Sequence, residues 1–285
     1  MKLIIGLLIV IGAVFGGYLM AHGNLLALYQ PAELVIIGGG AFGAFVIANP
    51  PKTIMGVFKG VPALLKGSKY GKQTYLDLLS LMYNLFAKAR KEGLMALEAD
   101  IDEPQQSEIF TAYPKLAGNH HLIDFVCDYL RLMVGGNMNA FELEQLMDLE
   151  LETHHHENEQ PSHALQTMAD GLPGFGIVAA VMGVVITMGY ISEPPEVLGA
   201  HIAAALVGTF LGILLAYGFA APMSNAMATQ AEEDSKLFEC AKVCILATLN
   251  GYTPQIAVEF GRKVLFSNLR PGFLELEEHI KNQKK

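Results

Sequence analysis

Four groups of residues in this 285-residue chain have the types and spacing to do chemistry. Gly38-Gly39-Gly40-Ala41-Phe42-Gly43 follows an apolar, strand-like run and matches G-x-G-x-x-G, the turn that brings a backbone against a dinucleotide pyrophosphate. A membrane-bound, nucleotide-dependent oxidoreductase built on it would need a βαβ unit and an acidic residue about 20 positions on. Here Pro50-Pro51 cuts the segment short and lysines follow. His154-His155-His156 with Glu157 and His163 could wrap a metal ion from a flexible loop, but consecutive histidines on a helix point about 100° apart and cannot share one. A solvated polar stretch is the simpler reading. Cys240 and Cys244 lack a second Cys/His pair at zinc spacing, and with Cys127 they make an odd set of reduced thiols. Arg90-Lys91-Glu92 followed by Glu98, Asp100, Asp102 and Glu103 is a positive-then-negative patch; on one ideal helix Arg90 and Glu98 would lie about 80° apart, on one surface. Such a surface is either solvated or a contact. None of these groups makes a catalytic constellation, and the chain is expected not to be an enzyme, with no metal and no cofactor.

The elements that must carry these residues are set by where charge is missing. Net charge is -9, from 28 acidic and 19 basic residues, yet only 16% of residues are charged and 52% are apolar. An average soluble domain carries about 25% charge. No Asp, Glu, Lys or Arg occurs in four stretches of 30, 18, 22 and 35 residues, bounded by Lys2, Glu33, Lys52, then Asp170 and Glu193, then Glu196 and Glu232. Eighteen helical residues reach about 27 Å and 22 about 33 Å, which brackets a hydrocarbon core of about 30 Å. The spacing predicts four membrane spans at residues 3–21, 34–49, 173–191 and 199–221, the first a retained helix and not a cleaved signal. The connections 22–32 and 192–198 hold no Lys or Arg, whereas residues 50–171 hold ten and the tail eight. That asymmetry puts both termini and the middle segment in the cytoplasm. The acidic balance gives no footing for nucleic acid.

The expected architecture is therefore all-α: a polytopic membrane protein with four transmembrane helices and a helical cytoplasmic domain. Residues 1–49 carry spans one and two, 50–171 the cytoplasmic domain, 172–222 spans three and four, and 223–285 a cytoplasmic helical tail. Within the middle segment, i, i+3, i+4 spacing predicts an amphipathic helix over Thr74–Leu97, then helices over His121–Val134 and Ala140–Leu151. The tail helix Asn225–Leu249 breaks at Gly251-Tyr252-Thr253-Pro254. Gly12/Gly16, Gly39/Gly43 and Gly208/Gly212 have G-x-x-x-G spacing, suited to close packing among the helices or with copies of the chain. Pro173 reads as the opening turn of span three behind Asp170 as N-cap, and Pro222 as the terminator of span four. Prolines at such boundaries also mark bends or cavities. The spans themselves carry no Asp, Glu, Lys or Arg, so an ion path here must borrow its carboxylate from a partner. The polar residues left to line one are Thr187, Tyr190, Thr209 and Tyr217.

Three segments carry a resemblance. The stretch ADGLPGFGIVAAVMGVVITMG around Pro173, the end of span four LLAYGFAAPM at Pro222, and ANPPKT after span two are similar to the MotA/PomA family of flagellar-motor stator subunits, related to ExbB and TolQ. The resemblance covers essentially the whole chain and implies a torque generator of the bacterial inner membrane. It implies a homo-oligomeric ring, a pentamer around a dimer of the single-span partner MotB, whose membrane aspartate handles the ion. It ties Pro173 and Pro222 to the conformational cycle beside the channel, and Arg90 and Glu98 to electrostatic contact with FliG of the rotor. Sodium-driven relatives carry threonine where this chain has Ala180, while Thr209 is retained. A site short of one hydroxyl ligand is weaker for a hard cation, so the expected ion is the proton. An ExbB/TolQ-like energiser of outer-membrane transport, with three spans in another order, is the alternative.

Overall fold

The computed structural model describes residues 2–67, 70–136 and 138–282; it is 84% helical, with no strand among the described residues. The helices are α1 (Lys2–Met20), α2 (Pro31–Ala48), α3 (Pro51–Leu64), α4 (Lys72–Glu92), α5 (Glu98–Asp102), α6 (Glu108–Thr111), α7 (Pro114–Ala117), α8 (His120–Gly135), α9 (Ala140–Met188), α10 (Pro195–Ile213), α11 (Ala221–Leu249), α12 (Pro254–Val264) and α13 (Phe273–Asn282). A seven-residue π-helix, Leu214–Ala220, joins α10 to α11. Four helical stretches are long and apolar enough to cross a membrane: Lys2–Met20, Leu25–Ala48, Ala140–Met188 and Pro195–Leu249. The chain divides into two compact units, Met1–Gly67 with Asn158–Gln230 and Ser68–Glu157 with Ala231–Lys285.

Prolines start several of these helices. Pro31, Pro51, Pro114, Pro195 and Pro254 sit at first helical turns, where a fixed φ is already helical and no N–H is needed. Asn119 and Thr253 cap α8 and α12 by accepting from the amides of Leu122 and Ile256. Gly93 and Gly136 end α4 and α8 with φ of 91° and 65°, a region that favours glycine.

The unit containing α4 has a closed apolar core. Tyr75, Leu78, Leu79, Leu81, Met82, Leu85 and Phe86 of α4 are buried, together with Leu122, Phe125, Val126 and Leu130 of α8 and Leu237, Ala241 and Ile245 of α11. The Phe125 ring meets Phe238 edge-on at 5.6 Å and Tyr129 at 4.7 Å. The other unit is open: α1 buries none of its residues, and Phe15 touches Phe210 of α10 only at 6.5 Å between ring centroids.

The structure corrects several sequence expectations. Gly38–Gly43 lies inside α2, so there is no strand-turn-helix to hold a nucleotide. The helix predicted to end at Leu97 stops at Gly93, because that φ takes the chain out of the helix. The helix expected to close at Leu151 continues to Met188, so Pro173 is inside α9 and not in its opening turn. Asp170 is correspondingly no cap; its carboxylate accepts from Gln166 Nε2, one turn back, at 2.8 Å. Pro222 does not interrupt the helix either. It sits in the first turn of α11, directly behind the π-helix. Proline cannot donate to the carbonyl four residues back, and the i to i−5 pattern that precedes it keeps the helix continuous across that missing bond.

Candidate functional site

Two places bring together the residues singled out in the sequence. The first is the joint between the membrane half of α9 and α10, both in the unit Met1–Gly67 with Asn158–Gln230. Here small residues remove the side chains that would hold the backbones apart. A Cβ on Gly176 would meet the Gly208 carbonyl at 2.9 Å, Gly212 Cα at 3.2 Å and Thr209 Cα at 3.4 Å. One on Gly212 would meet the Leu172 carbonyl at 2.8 Å, and one on Gly183 the Cα of Ala205 at 2.9 Å. Gly208/Gly212 therefore packs as its G-x-x-x-G spacing predicts. Gly12/Gly16 and Gly39/Gly43 are not packed within the chain: nothing lies within 4 Å of a Cβ at any of the four. Ala180 and Thr209 are half-buried at this joint, beside buried Ala179 and Gly208. Thr187 is buried and its hydroxyl donates to Gly183 O at 2.7 Å, one turn back along α9. Tyr190 stacks on His201 with centroids 4.2 Å apart, and Tyr217 on the π-helix is exposed. Pro173 is half-buried in α9, whereas Pro222 is exposed.

The sequence reading left Glu33 as the boundary residue between the 22–32 connection and span two, outside both. In the structure it belongs to the helix that carries span two: it lies in the first turn of α2 and is 8% exposed. Its Oε2 would lie 2.5 Å from a Cβ on Gly208, and it has no hydrogen-bond partner among the described residues. The signal was present in Pro31-Ala32-Glu33, a helix opening with proline at its first position and an acid in its first turn.

The second place is the corner where α4 gives way to α5. Arg90, in the last turn of α4, and Glu98, the first residue of α5, are both exposed. Because Gly93 and a 3-10 turn at Leu94–Leu97 separate them, they do not share one helix surface. The corner is braced by other charges. Lys88 Nζ reaches Asp100 Oδ2 at 2.6 Å, and Ser107 Oγ donates to Asp100 Oδ1 at 2.6 Å. Arg131 holds Asp102 at 3.0 Å and donates to the Ile101 carbonyl at 3.1 Å. Asp100 and Asp102 thus leave the acidic face that the sequence suggested and become struts. No ion pair holds Arg90 or Glu98 among the described residues, so both charges remain available outward.

The remaining candidates are structural. His154 and His155 face α11: the His154 ring lies 4.2 Å from that of Phe238 and 3.6 Å from an Asp234 oxygen, and His155 Nδ1 is 2.9 Å from Ser235 Oγ. Among the described residues no three His, Cys, Asp or Glu converge as metal ligands. Burial pushes the Cys127 thiol up to about 12, which leaves it without nucleophilic thiolate near neutral pH. Cys240 and Cys244 are buried and unpaired as a disulfide.

Known proteins are similar in sequence and in fold. Residues 4–93 match the family described as "Motility protein A N-terminal", and residues 119–240 the "MotA/TolQ/ExbB proton channel family". The chain is 54% identical to Motility protein A of Salmonella typhimurium over 281 residues, covering 99% of this chain and 95% of that one. It is 40% identical to the chemotaxis protein LafT of Vibrio parahaemolyticus over the full length of both. The fold superimposes on the flagellar MotAB stator complex from Bacillus subtilis with a TM-score of 0.71 at 25% identity, covering 98% of each chain. It also superimposes on C. jejuni MotAB, with a TM-score of 0.77 over 94% of this chain and 96% of that one, at 18% identity. A four-span helical chain with these two matched segments belongs to the motility protein A branch of the MotA/TolQ/ExbB proton channel family.

Proposed function

We propose that this chain is the proton-conducting stator subunit of a bacterial flagellar motor and that the α9/α10 joint forms one wall of its ion path. The observation that carries this reading is an uncovered apolar face on the membrane half of α9. Ile177, Val181, Val184 and Val185 are 51–68% exposed, immediately beside Ala180. A membrane helix from another chain fits such a face, and MotB, named with MotA in the two matched structures, is the partner of the right kind. MotB would bring the aspartate that alternately takes and releases the proton next to Ala180 and Thr209. Ala180 supplies no hydroxyl, so the wall has one oxygen fewer for a sodium ion than a threonine there would give. Copies of the chain, five around a MotB dimer, would cover α1 and the open Gly12/Gly16 and Gly39/Gly43 stripes. The chain would sit in the inner membrane with both termini cytoplasmic. Arg90 and Glu98 would meet charges of opposite sign on FliG, and ion flow would move these charges past the rotor.

Swimming speed, measured while external sodium is withdrawn at fixed pH in cells that rely on this chain, tests the ion. Unchanged speed is expected; loss of motility refutes proton driving. Deletion of the gene without effect on swimming refutes the stator assignment itself.

A further inference from the structure

We propose that Glu33 is a proton-binding site belonging to this chain, a carboxyl at the α2/α10 contact that takes up and releases a proton in addition to the aspartate supplied by the partner; the inference rests on the proton-path reading of the joint.

Three observations converge. Glu33 is the one acidic side chain of α2 and is 92% buried, the complement of its 8% exposure. Its Oε2 is enclosed and has no hydrogen-bond donor among the described residues. The carboxyl is aimed at Gly208, whose missing side chain makes room for it: a Cβ there would come 2.5 Å from Oε2, 3.2 Å from Glu33 Cδ and 3.0 Å from Ala179 Cβ. Three helices therefore meet at this group, and the residues next in sequence to its neighbours are Ala180 and Thr209, the pair placed on the ion path.

Among the described residues no cation pairs with the carboxyl. Packed against α2 are α10, whose titratable residues are Glu196 and His201, the membrane half of α9 through Phe175, the π-helix through Ala216, whose titratable residue is Tyr217, and α3, which carries Lys52 and Lys59 but meets α2 through Phe58 on Phe42, nine residues from Glu33. His201 is engaged with the Tyr190 ring. An ionised carboxylate among apolar helices without a counter-charge is costly, while the neutral acid is tolerated. The enclosed oxygen is thus suited to hold a proton. A group that only packed the helices together would more economically be a leucine or glutamine. Glu33 is also the third residue of α2, close behind the connection that ends at Gln30, which gives the proton a short way in. The step involves one O–H bond, formed when the carboxylate accepts a proton and broken when it passes it on; no other bond changes.

Infrared difference spectra test this on the full-length chain, in lipid vesicles with the subunit that co-purifies with it, recorded while pH is stepped. With carbon-13 glutamate incorporated, the wild type is expected to show a protonated-carboxyl band that carries the isotope shift and follows pH. Aspartate of the partner stays unshifted. Glu33→Gln should lose that band and keep the rest of the spectrum. A band that persists in Glu33→Gln, or the absence of any glutamic-acid band that responds to pH in the wild type, overturns the proposal. If Glu33→Gln does not reach the membrane, Gly208→Ala supplies the second reading: crowding of Oε2 must move the band, and an unmoved band overturns it equally. Because the readout is protonation and not swimming, a motor found to run on sodium would refute the proton assignment above while leaving the Glu33 result to be judged by itself.

Discussion

The two compact units solve the burial problem in opposite ways. The unit built on α4, α8 and α11 closes on itself, with seven successive-turn residues of α4 buried and every strut of the Arg90 corner paired within the chain. The unit that holds α1, α2 and α10 leaves apolar side chains outward nearly everywhere, and concentrates its tight packing where Gly176, Gly208 and Gly212 let two backbones touch. The first kind of unit owes its stability to its own sequence. The second uses its sequence to specify one joint and leaves the remaining faces to lipid and other chains.

Substitutions separate these two regimes. The largest effect is expected for Gly212→Val, whose branched side chain would run into the Leu172 carbonyl and Gly176 Cα. Motility should be abolished, while Gly39→Val, with open space around it, should leave the membrane level of the chain unchanged; equal loss in both would mean that the joint is not special. Arg90→Glu should come next: the chain still reaches the membrane, but motility is lost, and full motility would show that the corner is merely solvated. In the closed unit Phe86→Ala should cost about 3–5 kcal/mol, read as lost hydrogen-exchange protection across α4, whereas Leu8→Ala on exposed α1 should change the fold by less than about 0.5 kcal/mol.

A smaller, pH-dependent effect is expected at α12. Arg262 is 7% exposed, grips both oxygens of Glu259 at 2.6 Å and donates to the Pro271 carbonyl at 2.8 Å. Hydrogen bonding to that guanidinium, then its charge, holds the Glu259 carboxyl below the ordinary 4.5. Folded below unfolded means the stabilisation is complete above about 4.5 and fades as pH falls through the depressed folded value. Hydrogen exchange in Pro254–Val264 should therefore accelerate on acidification, and Glu259→Gln should flatten that dependence; an unaltered profile in the variant would assign it to another carboxylate.

Much of this was legible in the sequence, because membrane thickness converts charge-free length directly into spans, and i, i+3, i+4 spacing marks the α4 and α8 faces. The misreadings have two causes. At Gly93 the apolar spacing carried the predicted helix through a glycine that in fact stops it, whereas Pro173 and Pro222 were judged by local propensity, which puts proline at the start or end of a helix. Tertiary packing carried α9 through Pro173, and a change of hydrogen-bond pattern carried the chain through Pro222. Glu33 was misplaced because a charge at the edge of an apolar run looks like the boundary of a span; only the hollow at Gly208, on a helix 175 positions further along, shows that it points inward. The exposed pair Arg90 and Glu98 could be found by type, but not their separation by the Gly93 corner.

The π-helix at Leu214–Ala220 has a mechanical consequence. Seven residues wound with wider turns place one more residue in the stretch than an α-helix of the same number of turns would hold, and each α-helical residue corresponds to about 100° of rotation. Sliding that surplus along the rod by a single position would re-aim only the residue it passes, by about 100°, and leave the helix on either side where it stands, so one side chain can be turned without moving the rod.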